Sequence, residues 1–159
     1  MLTDENFLKI AHEVSKGSNC VSKKVWALIV RDTRILSTGY SGTPAGYINC
    51  SDFFDNTYTK EHHDWSHDYE IHAEMNAIIW AARNGISIEW ATMYVTLEPC
   101  QQCTKNIVAA GIQRIVFLNK YPHNESDTAK KFLKENNIEC VHLPLWDEYR
   151  FQKTIGKDY

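Results

Sequence analysis

No stretch of this chain stays apolar for long. The longest run, around Val25 to Val30, is a fraction of the roughly 20 residues a helix needs to cross a bilayer, so no membrane span is expected. No block of lysine or arginine is present either: 17 basic residues face 20 acidic ones, for a formal net charge of -3. A nucleic-acid binder needs a concentrated positive surface, and the chain lacks that footprint. Met1 to Glu5 contain no basic segment leading into an apolar one, which argues against a secretory signal. Internal repeats and low-complexity tracts are absent as well. Five cysteines, an odd number, do not make a complete disulfide framework. Without export features they fit a reducing compartment, metal or free thiols, and a cytoplasmic location. At 159 residues (1–159) the chain has the size of one domain, able to bury a core without cross-links.

What is there is a spaced set of metal donors. His72-Ala73-Glu74 is followed downstream by Pro99-Cys100-Gln101-Gln102-Cys103. This offers one imidazole and two thiols for a metal, plus a carboxylate that need not bind it. Zinc sites that hold a reactive water use three protein ligands and keep one position open. The metal makes hydroxide near neutral pH, and a nearby non-ligand Glu moves protons. The spacing H-x-E…P-C-x-x-C resembles the signature of zinc nucleobase deaminases. A lone C-x-x-C also marks redox motifs, and buried cysteines and histidines are common in cores. Here, however, His-x-Glu opens a helix, a strand intervenes, and Pro-Cys-x-x-Cys opens another helix.

The apolar pattern places these motifs. Glu5 to Ser15 reads as a helix, with Phe7, Leu8, Ala11 and Val14 on one face. Val25 to Val30 and Arg34 to Thr38 read as a hairpin turning at Arg31 to Thr33, and Gly39 to Ile48 as a loop. Ser51 to Asp68 is polar and reads as an irregular excursion. The spacing predicts a helix over Glu70 to Arg83, a strand over Thr92 to Leu97, and a helix over Gln101 to Ala110 that Pro99 opens and Gly111 ends. A strand over Arg114 to Leu118, a helix over Asp127 to Asn136 and a strand over Ile138 to Leu143 follow, then a tail from about residue 144. Alternating strands and helices imply parallel crossovers. The expected architecture is α/β, three-layer α-β-α, with one mixed five-stranded sheet and both metal-binding helices on the same face.

With the motifs and the element order in hand, the chain resembles the cytidine deaminase superfamily, and within it the deoxycytidylate deaminases of the bacteriophage type. The resemblance runs from about Ser18 to Val141. It is carried by Gly39 to Gly46, His72 to Ala77 and Tyr94 to Cys100. It implies a cytidine deaminase-like fold and hydrolysis of dCMP to dUMP and ammonia, supplying thymidylate synthesis. It also implies a homohexamer activated by dCTP and inhibited by dTTP, with a Mg2+ ion accompanying a triphosphate effector. A phage-encoded enzyme would work in the host cytoplasm. By the same resemblance, His72, Cys100 and Cys103 hold the catalytic zinc, Glu74 shuttles protons, and Ala73, Ser41 and Tyr121 border the substrate. Gly39, Tyr40, Gly42, Pro44, Gly46, Asn76 and Arg83 fall on effector contacts. Ser41 stands where many members have Asn, a shorter hydrogen-bonding group in its place.

The resemblance implies a second, structural zinc on Cys20, Cys50, His62 and Glu70, with His63 and His67 as rival donors and His63 able to replace His62. Four ligands without an open position describe a structural site. It would order the polar excursion. Rival readings keep the same core: deamination of adenine in transfer RNA or of cytosine in a strand, deamination of guanine or a riboflavin-pathway pyrimidine, or a zinc-stapled module without turnover. The acidic balance opposes the nucleic-acid readings, the Gly39 to Gly46 loop disfavours the small-substrate ones, and Glu74 speaks against the inert module.

Overall fold

The computed structural model describes residues 1–21, 24–55, 59–121 and 127–145. The strands are β1 (Trp26–Arg31), β2 (Arg34–Tyr40), β3 (Thr92–Leu97), β4 (Arg114–Asn119) and β5 (Glu139–His142). The helices are α1 (Asp4–Ser15), α2 (Lys60–Tyr69), α3 (Ala73–Arg83), α4 (Gln101–Ala109) and α5 (Thr128–Glu135), with one 3-10 turn over Cys50–Asp52. The five strands form one sheet in the order β2-β1-β3-β4-β5. β1 runs antiparallel to β2 and β3, whereas β3, β4 and β5 are parallel. The two parallel steps are made by the crossover helices α4 and α5, as the alternation of elements requires.

Period-two alternation splits the strand side chains between two cores. On one face Ala27, Ile29, Met93, Val95, Ile115 and Phe117 meet Ala73, Ala77 and Ala81 of α3, Cys103 and Ile107 of α4, and Leu133 of α5. On the other, Leu28, Val30, Tyr94, Val116 and Leu118 meet Phe7, Leu8 and Ala11 of α1. The expected three-layer arrangement is present, with α3 and α4 on the same face. The small alanines of α3 let it lie close to the sheet. Gly39 of β2 completes that contact: a Cβ there would come 2.2 Å from the Ala73 carbonyl oxygen and 2.3 Å from the Ala77 nitrogen. No helix among the described residues is long and apolar enough to cross a membrane.

Several boundaries differ from the sequence reading. The hairpin turn has two residues, not three, because Arg31 still pairs with Arg34. Asp32 and Thr33 both take positive φ, 52° and 61°, matching the right-handed twist of the strands. Gly39 and Tyr40 belong to β2, so the loop begins at Ser41. The 51–68 excursion is not irregular throughout: it contains α2, capped by the Thr59 hydroxyl accepting from the His62 amide at 3.1 Å. Apolar periodicity missed this helix because it has almost no aliphatic stripe. Rings hold it instead: Phe54 stacks on His62 at 4.5 Å, and Trp65 lies between Phe54 and Tyr69 at 5.8 and 5.3 Å. The helix expected over Glu70 to Arg83 starts at Ala73, not Glu70. Ile71 is drawn into an isolated bridge with Gly42, exchanging hydrogen bonds of 2.9 and 3.2 Å, and this keeps residues 70–72 extended. Pro99 precedes the N-cap Cys100 rather than occupying the first helical position. Residues 146–159, most of the tail, lie outside the described residues.

One polar cluster fastens α1 to the sheet. Asp4 receives both terminal nitrogens of Arg114 at 2.8 Å and the Tyr94 hydroxyl at 2.6 Å. The Arg114 guanidinium, more than the Tyr94 hydroxyl, holds the Asp4 carboxyl below the usual carboxylate range. A depressed folded-state value stabilises the protein above the unfolded value and is lost as pH falls through the folded one. We therefore expect Asp4→Asn to cost roughly 1–2 kcal/mol near neutral pH, and the deficit to begin shrinking below about pH 4 and to vanish only beneath the lowered folded-state value. Urea unfolding of both proteins across that range measures it.

Candidate metal centre and catalytic pocket

Two helix starts converge at one end of the shared sheet face. His72 is the N-cap of α3 and Cys100 the N-cap of α4, both with extended backbone, and Cys103 follows three residues later. His72 Nδ1 lies 3.5 Å from Cys100 Sγ and 3.3 Å from Cys103 Sγ. Donors sharing one tetrahedral zinc at ordinary bond lengths stand about 3.6 Å apart for nitrogen and sulfur, so this set fits the ion. The Cys103 amide also donates to Cys100 Sγ at 3.5 Å, and the N-terminal end of α4 favours thiolate there. The Cys103 thiol hydrogen-bonds Cys100 and pulls the Cys100 pKa down to about 3 against the opposing effect of burial. The same contact, together with burial, pushes Cys103 up. Zinc bound here would take both sulfurs as thiolates.

Glu74 is the second residue of α3 and only 4% exposed. It points differently from His72 because His72 is still extended while Glu74 is helical. Burial raises the Glu74 pKa, and a hydrogen bond from its own backbone amide, His72 and the Cys103 thiol partly offset this. A buried carboxyl beside three metal donors, itself outside the donor cluster, holds its proton more readily than an exposed one and is placed to accept and return it.

A cavity of about 210 Å3 opens over this centre. Ala73, Ser41 and Tyr121 line it together with His72, Glu74 and Cys100. Ser41 is built in: its hydroxyl accepts from the Val25 amide at 3.3 Å and its carbonyl accepts from the Ser18 hydroxyl at 3.2 Å. Tyr121 is half-buried, and burial raises its phenol pKa, reinforced by Cys100 and Glu74. Its amide donates to Glu98 Oε2 at 3.1 Å. The sequence reading missed Glu98 as a cavity residue, and on α2 it took His63 and His67 only as rival zinc donors and passed over Ser66; all four line the cavity. The spacing of the last three on a helix was a usable signal, hidden because α2 itself was not recognised.

The second cluster assembles next door. Donor atoms of Cys20, Cys50 and His62 lie within 4.8 Å of one another, and the Cys20 Sγ is 3.6 Å from the Glu70 carboxylate. Cys20, Cys50 and His62 are almost completely buried. His62 holds the place for which His63 competed; His63 turns to the catalytic cavity and pairs with Asp64 at 3.2 Å. Hydrogen bonding with Cys20, then burial, raises the Cys50 thiol.

The residues read as effector contacts divide. Gly39 is packed against α3, so its backbone is not offered to a ligand. The Tyr40 ring stacks on Trp26 at 5.3 Å, and its carbonyl accepts from Asn76 Nδ2 at 2.6 Å. Gly42 pairs with Ile71, while Pro44 and Gly46 form an exposed turn, with Gly46 at φ 86°. Arg83 is exposed in the last turn of α3.

This geometry belongs to a recognised class. The chain is a member of the family described as the cytidine and deoxycytidylate deaminase zinc-binding region, whose model matches residues 1–119. Within that family it is 39% identical to the deoxycytidylate deaminase of Enterobacteria phage T4, over 86% of this chain and 88% of that protein. It is 36% identical to the deoxycytidylate deaminase of Mus musculus, over 81% of this chain and 72% of that one. Among solved structures it resembles the dCMP deaminase of cyanophage S-TIM5 in complex with dCMP and dUMP. The TM-score is 0.72 at 30% identity, covering 87% of this chain and 95% of that one.

The lowered Cys100 pKa has a direct readout. In metal-free protein at pH 6, iodoacetamide should label Cys100 well before the exposed Cys140, whose thiol is raised to about 11. Two equivalents of zinc per chain should protect Cys100, with peptide mass spectrometry locating the label.

Proposed function

We propose that this chain is a zinc-dependent hydrolase that deaminates dCMP to dUMP and ammonia. The observation that carries this reading is the buried Glu74 beside the His72, Cys100 and Cys103 donors, in a family whose similar members are deoxycytidylate deaminases. Zinc held by those three residues supplies the Lewis acidity that makes a nucleophile of water near neutral pH. Glu74 takes the proton of the attacking water and delivers it to the ring nitrogen. It then passes a proton to the amine, which leaves as ammonia while the water oxygen stays on the ring carbon. Burial, which raises the Glu74 pKa, suits it to both directions of transfer. Ala73 and Tyr121 border the pyrimidine, and Ser41 closes the cavity beside them.

The finer assignments belong to the same proposal. Cys20, Cys50, His62 and Glu70 hold a second, structural zinc that ties the Cys20 and Cys50 segments to α2. The exposed Pro44 to Gly46 turn, with Tyr40, Asn76 and Arg83, serves a dCTP or dTTP effector, with Mg2+ accompanying the triphosphate. The enzyme works as a homohexamer in the cytoplasm and feeds thymidylate synthesis.

Glu74→Gln should reduce ammonia release from dCMP by about 10²–10⁴-fold with zinc content unchanged. An unchanged rate would remove the proton-shuttle role. A short cytosine-containing single strand assayed alongside dCMP separates this reading from nucleic-acid deamination. Cys50→Ser should lower bound zinc from two ions per chain to one, with the thermal midpoint falling by on the order of 10 °C. Elemental analysis and calorimetry on the same sample read both.

A further inference from the structure

β3 and β4 stay joined to their last residues. Leu97 pairs with Asn119, the Glu98 amide donates to the Asn119 carbonyl at 2.8 Å, and Asn119 Nδ2 donates to the Thr96 carbonyl at 3.0 Å. Beyond that point the two chains part. The β3 side runs through Glu98 and Pro99 into Cys100, the N-cap of α4 and a metal donor. The β4 side runs through the exposed Lys120 to Tyr121, which lines the cavity together with Glu74 and Cys100. An aromatic ring two residues past the end of a strand moves with its loop unless the backbone beneath it is held.

Three carboxylates line this cavity, and two have work already described. Glu70 meets Cys20 Sγ at 3.6 Å, and Glu74 belongs to the reacting end. The third, Glu98, is half-buried at the point where the strands diverge. In a parallel ladder the bonds follow one another in an evenly spaced, slanted series. After the Glu98 amide, the next donor in that series is the amide of Tyr121. It meets the Glu98 side chain, whose Oε2 accepts it at 3.1 Å. A bond to a carboxylate is stronger than one between neutral groups. Pro99 follows with no amide hydrogen, so it has no donor to offer the opposite chain. The sheet end does not need the Glu98 carboxylate, because the Asn119 bonds already close it. What the carboxylate adds is a fixed place for residue 121.

We infer that Glu98 is the positioning residue for Tyr121: its carboxylate holds the Tyr121 amide and so keeps the ring in place as a wall against the pyrimidine. The inference rests on the deaminase reading and deepens it, because it names a residue that acts on the substrate through another. Glu98 lies two residues before Cys100. The wall that meets the base is thereby tied to the turn that carries a metal donor, and base and metal keep one spacing.

The test compares zinc-loaded native enzyme with Glu98→Ala, Glu98→Gln, Tyr121→Ala and the double variant Glu98→Ala, Tyr121→Ala. In calorimetric titration with dUMP, Glu98→Ala should bind about tenfold more weakly, the loss expected for one hydrogen bond to a charged group. Glu98→Gln, whose amide oxygen can still accept from Tyr121, should recover most of that loss. In the Tyr121→Ala background the Glu98→Ala change should cost less than about twofold, because a residue that acts through the ring then has nothing to position. KM for dCMP should follow the same pattern, with kcat moving less than about threefold. Zinc content should not change. Exchange of the Tyr121 amide hydrogen, read by NMR, should be at least about tenfold faster in Glu98→Ala than in the native protein. Equal losses in both backgrounds, a glutamine variant as weak as the alanine one, or loss of zinc from Glu98→Ala overturns the positioning role. A native enzyme that releases no ammonia from dCMP overturns the deaminase reading instead. The amide exchange then still decides the hold on Tyr121, which fails if Glu98→Ala leaves the rate unchanged.

Discussion

The pocket depends on two chain reversals being held at one end of one sheet face. α3 and α4 pack on the same side, and each begins where the extended chain turns into a helix. Those two caps are His72 and Cys100. The convergence of an imidazole and two sulfurs within 3.3–3.5 Å is therefore a property of helix starts, not of a flexible loop. Gly39 is what lets α3 lie so close to β2. Any side chain there would collide with the α3 backbone, and the His72 cap would move with the helix.

Burial then gives the same few residues unequal jobs. His72 is exposed, Cys100 half-buried, and Cys103 and Glu74 buried. The gradient keeps the metal donors reachable from the cavity while the carboxyl sits in a medium that disfavours its charge. A carboxylate fully solvated at this position would titrate too low to return a proton to a ring nitrogen near neutral pH. The network of Asp4, Tyr94 and Arg114 does related work on the opposite sheet face. It joins α1 to two strands, and its charges are satisfied among themselves.

How much of this could be read from the chain alone varies with the physics of each element. The strands and α1, α3, α4 and α5 carry apolar periodicity, so their existence and order are legible. The metal donors are legible because their spacing is tied to helix starts. α2 was not, because aromatic stacking on a buried histidine stabilises it, and a mostly polar string gives no periodic signal. The extended 70–72 segment was hidden for a related reason: a single non-local bridge to Gly42 overrides the helical pattern that continues through it. Glu98 and the α2 wall became visible only once those two elements were placed. Gly39 was readable as a special position, but its reason is a neighbouring helix, not an approaching ligand.

The bridge between Ile71 and Gly42 has one more effect. Residues 70 to 72 form a short stiff link in which alternate side chains serve two separate donor clusters, Glu70 the buried one and His72 the one facing the cavity. With Ile71 clamped at the midpoint, the link acts as a pivot with arms one residue long. A shift of the Cys20 and Cys50 segments cannot be absorbed within so short a span. The two donor sets are therefore spaced by a single clamped residue.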